Sequence, residues 1–167
     1  PSKDAELPGL ETSSGSLGQG LGIAVGIALA LKLKNNPARV YCLMGDGELQ
    51  EGNIWEAAMS ASHYELNNLV GIIDRNRVQI DGNTEKVMAL EPLHDKWKSF
   101  GWEVSIIDGH NYHEIAKTLL KENKKPHVII AQTIMGKGIP SIEGNYLWHG
   151  KAPTPEEKNI FLQELYT

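Results

Sequence analysis

One cysteine, Cys42, is all the chain carries, so no internal disulfide framework exists. That suits a reducing compartment and predicts a cytoplasmic location. Cys42 lies inside an apolar run and reads as a core residue rather than a nucleophile. Long hydrophobic runs are missing too: the longest, near residues 21–33, is broken by glycines and Lys32, which excludes a membrane partner, and no signal peptide is evident. Lysine and arginine nowhere cluster, and the net charge of −5 argues against a nucleic-acid partner. No His/Cys grouping has zinc spacing. No Gly-x-Gly-x-x-Gly follows the first strand with an acid about twenty residues on, which weighs against a nicotinamide dehydrogenase. Internal repeats and low-complexity tracts are absent.

What remains is an ordinary globular composition, 41% apolar and 22% charged, in 167 residues, enough for one domain. Strands are expected at 39–44, 69–74, 103–107 and 127–133, with a short extended piece at 78–81. Helices are expected at 17–33, 53–64, 92–100, 111–122 and from Thr154 onward. Alternating strands and helices define an α/β fold with a mainly parallel sheet and helices on both faces. The first helix is apolar on almost every face and should be buried. Its Gly18, Gly22, Gly26 and Ala30 fall on one stripe, which predicts close approach by another backbone. Asn53 with Glu56, and Asn111 with Glu114, look like helix-capping pairs. Residues 135–153 form a long loop, and such loops are often functional.

The chemistry concentrates between residues 44 and 82. Gly45-Asp46-Gly47 ends the first strand, and Asn76 lies 30 residues beyond Asp46, just past the second. Two parallel strands joined by a crossover helix bring both ends to one edge of the sheet, where ligands of such folds bind. An Asp and an Asn there offer hard oxygens suited to magnesium, which takes its remaining ligands from phosphate and water. Glycines at 45 and 47 let a backbone approach phosphate closely. The alternative on the residues alone is that Asp46 caps the next helix and Asn76 sits in a turn.

These motifs resemble a known family. Gly45-Asp46-Gly47 with Asn76 is similar to the thiamine-diphosphate motif. Glu11-Thr-Ser-Ser-Gly15-Ser-Leu-Gly-Gln-Gly20, Gly47-Glu-Leu-Gln-Glu51-Gly52, Val78-Gln-Ile-Asp-Gly82 and Trp148-His149-Gly150-Lys-Ala-Pro153 resemble transketolase segments in family order, over nearly the whole chain. The wording is most like the amino-terminal subunit of split transketolases.

The resemblance implies a ketol-transferring enzyme that uses thiamine diphosphate and Mg2+, with Ca2+ or Mn2+ able to substitute. Metal ligands would be Asp46, Asn76 and the Val78 carbonyl. Gly15, Leu17, Gly45, Gly47 and His149 would meet the cofactor, the Leu17 carbonyl accepting from its aminopyrimidine. His149 would face diphosphate and sugar, and Glu51 and Glu56 would link two active sites across a dimer interface. Read without the family, Leu17 packs at a helix start, Glu51 and Glu56 are solvated, and His149 is a surface-loop residue. Lys137, between glycines, is a weaker phosphate candidate, and His110 is expected to organise a strand-to-helix turn.

The resemblance further implies that residues 1–167 are one diphosphate-binding domain truncated at its amino terminus. A second subunit carrying the pyrimidine-binding domain would complete the site. Sugar phosphates are the implied substrates, and self-association is expected. The alternatives are a non-catalytic thiamine-diphosphate-binding module and another thiamine enzyme, such as deoxyxylulose-phosphate synthase.

Overall fold

A computed structural model describes residues 9–12 and 15–166; part of the Glu11–Gly20 motif, Ser13 and Ser14, lies outside them. Helix α1 (Gln19–Leu33) leads to β1 (Val40–Gly45), a 3-10 turn (Gly47–Gln50) and α2 (Gly52–His63). Strand β2 (Leu69–Arg75) follows, then a small hairpin of β3 (Val78–Gln79) and β4 (Gly82–Asn83), and α3 (Thr84–Val87). Helix α4 (Leu93–Ser99), β5 (Glu103–Asp108), α5 (Tyr112–Leu119), β6 (His127–Gln132) and α6 (Pro155–Leu165) complete the order.

The main sheet runs β1-β2-β6-β5, all parallel. Register sets Gly45 beside Asp74, Asp74 beside Ala131 and Asp108 beside Gln132, so every carboxyl end reaches one edge. The two central strands carry the most continuous apolar runs because both their faces are covered. On one face Leu69, Ile73, Val128 and Ile130 join α1, α2 and α4 in the larger core. On the other, Val70, Ile107, Ile129 and Ala131 pack under Ile115 and Leu119 of α5. Strand β1 is an edge: among the described residues its outer side pairs with no strand, and Tyr41 and Leu43 are exposed.

Three expectations are corrected. Helix α1 buries one stripe (Leu21, Ala24, Val25, Ala28) rather than most faces, and no described residue lies within 4 Å of a Cβ at Gly22 or Gly26. Close approach occurs at Gly18 alone on that stripe, and by side chains: an added Cβ would collide with Asn53 and Glu51, and φ is +83°. Asn53 and Glu56 form no capping box, because the cap of α2 lies two residues earlier, at Glu51, so that the helix starts at Gly52 with no side-chain cap bond. The 135–153 loop contains a 3-10 turn at Tyr146–Trp148.

The other caps agree. Asn111 accepts from the N–H groups of His113 and Glu114, and Thr154 closes a full capping box with Glu157. His110 sits in the β5–α5 turn, and its Nε2 accepts from the Ile134 N–H at 2.8 Å, tying that turn to the segment after β6. Cys42 is buried, and burial, with the Glu48 charge nearby, pushes its thiol up to about 12, the inert core residue expected. No helix among the described residues is long and apolar enough to cross a membrane.

Candidate metal and cofactor site at the carboxyl edge

Adjacent parallel strands deliver Asp46 and Asn76 to the same edge. Asp46 is 1% exposed, and its side chain makes no cap bond to the 3-10 turn that follows. Instead Oδ2 accepts from Arg75 Nη1 at 2.9 Å and from the Arg77 N–H at 2.6 Å. To aim that N–H, Arg77 adopts φ +66°, a left-handed conformation that costs a non-glycine residue about 1–2 kcal/mol. Asn76 Oδ1 accepts from the Val78 N–H at 2.9 Å, and its Nδ2 donates to Asp74 Oδ2 at 3.3 Å. Thr133 Oγ1, just past β6, donates to Asp74 Oδ1. The Asp46 N–H donates to the Asp74 carbonyl at 3.2 Å. Three strand ends are thus bonded into one edge.

Behind Asp46 lies a residue that sequence reasoning missed. Arg75 is 2% exposed, and its guanidinium also donates to Thr84 Oγ1 (2.8 Å), Glu85 (2.7 Å) and Glu91 (3.0 Å). Burial pushes the Asp46 carboxyl up, against the downward pull of Arg75 and the Arg77 N–H. Burial also raises Glu85, but Arg75 and the N–H groups of Glu91 and Leu90 outweigh it and hold that carboxyl low. Glu91 is held low by the Leu93 N–H and by Arg75. The available signal was an arginine at the end of an apolar strand with two acids 10 and 16 residues on.

Glu48 was missed as well. Its Oε1 accepts from the Gly18 N–H at 2.9 Å and its Oε2 from the Gly45 N–H at 3.1 Å. One carboxylate therefore joins the start of α1, beside Gly15 and Leu17, to the Gly-Asp-Gly turn. Gly45 is not an open donor in this arrangement. Gly47 packs on Gln79, whose Cβ would be 3.2 Å from an added Cβ. Replacing Glu48 by Ala removes both acceptors, and we expect a loss of about 1–2 kcal/mol, or a melting temperature roughly 2–8 °C lower in a thermal scan.

The remaining expected residues are spread out. Gly15 and Leu17 are exposed ahead of α1. Glu51 and Glu56 are exposed near the start of α2, and no hydrogen bond joins them to each other. His149 is exposed at the end of the Tyr146–Trp148 turn, which lies against β4. Its neighbour Trp148 packs edge-on to Phe161 of α6, under Lys151 Nζ at 3.8 Å. Lys137 points to Glu143 at 3.5 Å.

The expected donors are one carboxylate, one amide oxygen and one main-chain carbonyl, all hard, as magnesium prefers. Asp46 Oδ2 carries the Arg75 and Arg77 donors, and Oδ1 takes neither. Among the described residues no three His, Cys, Asp or Glu converge, so a soft or all-carboxylate cage is not offered. The residues fit a magnesium ion that shares its shell with an anionic ligand.

A parallel sheet with a Gly-Asp-Gly turn, an Asn and a buried carboxylate at its carboxyl edge defines an α/β ligand-binding domain. Residues 3–164 match the model of the family described as transketolase, thiamine diphosphate binding domain, and the chain belongs to that family. It is 46% identical over 163 residues to one subunit of the apulose-4-phosphate transketolase of Phocaeicola vulgatus, covering 96% of this chain and 58% of that protein. Human transketolase is 40% identical over 158 residues, 94% of this chain and 25% of the human protein. A solved transketolase from Campylobacter jejuni superposes with a TM-score of 0.78 at 38% identity, over 83% of this chain and 23% of that one. The chain therefore spans little more than half of even its shorter relatives.

Proposed function

We propose that this domain holds the diphosphate end of thiamine diphosphate through Mg2+ in a transketolase that moves a two-carbon ketol unit between sugar phosphates. One observation carries the reading. Parallel pairing of β1 and β2 joins Asp46 to the Asn76–Val78 loop through the Arg77 N–H, in a chain that matches the family over nearly all its length. The cofactor supplies carbanion stabilisation. Asp46, Asn76 and the Val78 carbonyl hold the metal. The turn at Gly45 and Gly47 brings backbone close to phosphate, and Gly15 and Leu17 meet the aminopyrimidine. His149 stabilises charge or moves a proton near the reacting sugar. Glu51 and Glu56 face a second copy and link the two sites. The Phocaeicola relative is itself one subunit of a transketolase, which supports a companion chain carrying the pyrimidine-binding domain. The named substrates of relatives, apulose 4-phosphate and 6-deoxy-6-sulfofructose, support a ketose with an anionic tail.

The test is calorimetric titration of thiamine diphosphate into the protein assembled with its companion chain, with and without Mg2+. Binding should require the metal. Asp46→Ala should weaken it at least tenfold, about 1.4 kcal/mol. A folded, assembled wild type with no metal-dependent heat would remove the reading. Turnover of pyruvate in place of a ketose phosphate would favour a deoxyxylulose-phosphate synthase.

A further inference from the structure

We infer that Arg75 is a positioning residue for the metal site, selecting which Asp46 oxygen faces the cation and setting the charge the cation meets. The inference rests on the reading of Asp46 as a metal ligand and adds a residue that does not touch the metal. Three observations carry it. First, Arg75 Nη1 and the Arg77 N–H both bond Asp46 Oδ2, at 2.9 and 2.6 Å, which fixes the carboxylate rotation and turns Oδ1 to the ligand role. Second, Arg75 is itself held at its far end: Nη1 also reaches Thr84 Oγ1, and Nη2 reaches Glu85 at 2.7 Å and Glu91 at 3.0 Å. The fork cannot follow Asp46 toward a cation without breaking those bonds.

Third, the charges are arranged for a cation. An arginine beside a metal ligand would oppose a divalent ion if its charge were uncompensated. Two carboxylates on its other side, Glu85 and Glu91, cancel that effect and leave the Asp46–Arg75–Glu85–Glu91 group with an excess of two negative charges. The segment from Thr84 to Glu91 therefore acts on the site through one buried guanidinium. Its contribution is separable from that of the ligands themselves.

The test uses Mn2+ as the probe, read by electron paramagnetic resonance in the presence of thiamine diphosphate, on the protein assembled with its companion chain. Wild type should bind Mn2+, and Asp46→Ala should not. Arg75→Met should weaken Mn2+ at least tenfold, with partial rescue in Arg75→Lys, which restores a single donor but not the fork. The double variant Glu85→Gln/Glu91→Gln keeps Arg75 and removes its counter-charges; it should weaken Mn2+ about fivefold or more, and it decides the matter if Arg75→Met does not fold.

A purely structural role would lower the melting temperature equally with and without metal. The positioning role shrinks the metal-induced rise itself. Folded Arg75→Met or double-variant protein with wild-type Mn2+ affinity overturns the inference while leaving the metal site standing. A wild type that binds no Mn2+ overturns both, and so marks the failure of the site rather than of Arg75 alone.

Discussion

Trp97→Ala should cost about 3–5 kcal/mol and drop the urea midpoint far enough to leave much of the protein unfolded at 37 °C. Trp97 is wholly buried, on the α4 turn that crosses the larger core. Its ring lies 5.3 Å from Trp55 and 4.9 Å, edge-on, from Trp102, while Phe100 stacks on Trp55 at 5.4 Å. Trp102 in turn donates its indole N–H to the Ala58 carbonyl of α2. Truncation therefore empties the centre of an aromatic stack that joins α2, α4 and the start of β5. The indole N–H of Trp97 has no partner among the described residues. Trp97→Phe keeps a ring there and removes that orphaned donor, so it should cost under about 2 kcal/mol. Equal losses in the two variants would show that a phenyl ring does not replace the packing of the indole in this stack.

The second large effect is on pH. His127 begins β6 and is wholly buried, with Nε2 2.9 Å from Ser105 Oγ and Nδ1 without a partner among the described residues. Burial pushes its pKa down to about 4, helped by Lys121 and Arg39 and opposed by Glu103. The folded protein keeps this imidazole neutral, whereas the unfolded chain takes up the proton near pH 6.5. Unfolded chains therefore bind more protons between those values, and stability falls as pH drops through the window. The contribution is complete above about pH 6.5 and gone by about pH 4, a difference of about 3 kcal/mol. Urea unfolding of wild type and His127→Leu at pH 7 and pH 4.5 checks this. The variant should lose most of the slope in that interval. The depressed carboxylates Glu85, Glu91 and Glu103 act lower, as pH falls below the unfolded carboxylate range, and are common to both proteins.

The strands were legible because their signal is local. Leu69–Asp74 and His127–Ala131 are near-continuous apolar runs, as strands covered on both faces must be, and both are central. The capped starts of α5 and α6 were legible for the same reason, since cap and acceptor lie within one turn. The order of strands in the sheet was not, because β6 enters between β2 and β5 through contacts far apart in sequence.

The same division holds at the edge of the sheet. Asp46 and Asn76 stand out by type and spacing. Arg75 and Glu48 do not, because an arginine or a glutamate reads as surface until its distant partners are known. Arg75 is buried where it bonds Asp46, Thr84, Glu85 and Glu91, the last 16 residues on. The Asn53–Glu56 reading failed because the helix cap lies two residues earlier, and that shift leaves Asn53 packed against Gly18 rather than capping α2.

Asp46 follows from β1, which among the described residues has a strand on one side alone, while Asn76 follows from β2, which is bonded on both sides. In a parallel ladder alternate peptide groups bond each neighbour, so among the described residues half of those in β1 pair with no strand, the Gly45 N–H bonding the Glu48 carboxylate instead. Amide hydrogen exchange should be rapid at those positions and slow throughout β2, with opening free energy graded across the sheet. One half of the candidate metal site thus follows a strand held from one side, and is tied to the other half by the bonds of Asp46 to Arg75 and the Arg77 N–H. A strand added along that free side would stiffen β1 and so lower the entropy that the Gly-Asp-Gly turn surrenders when it binds a ligand.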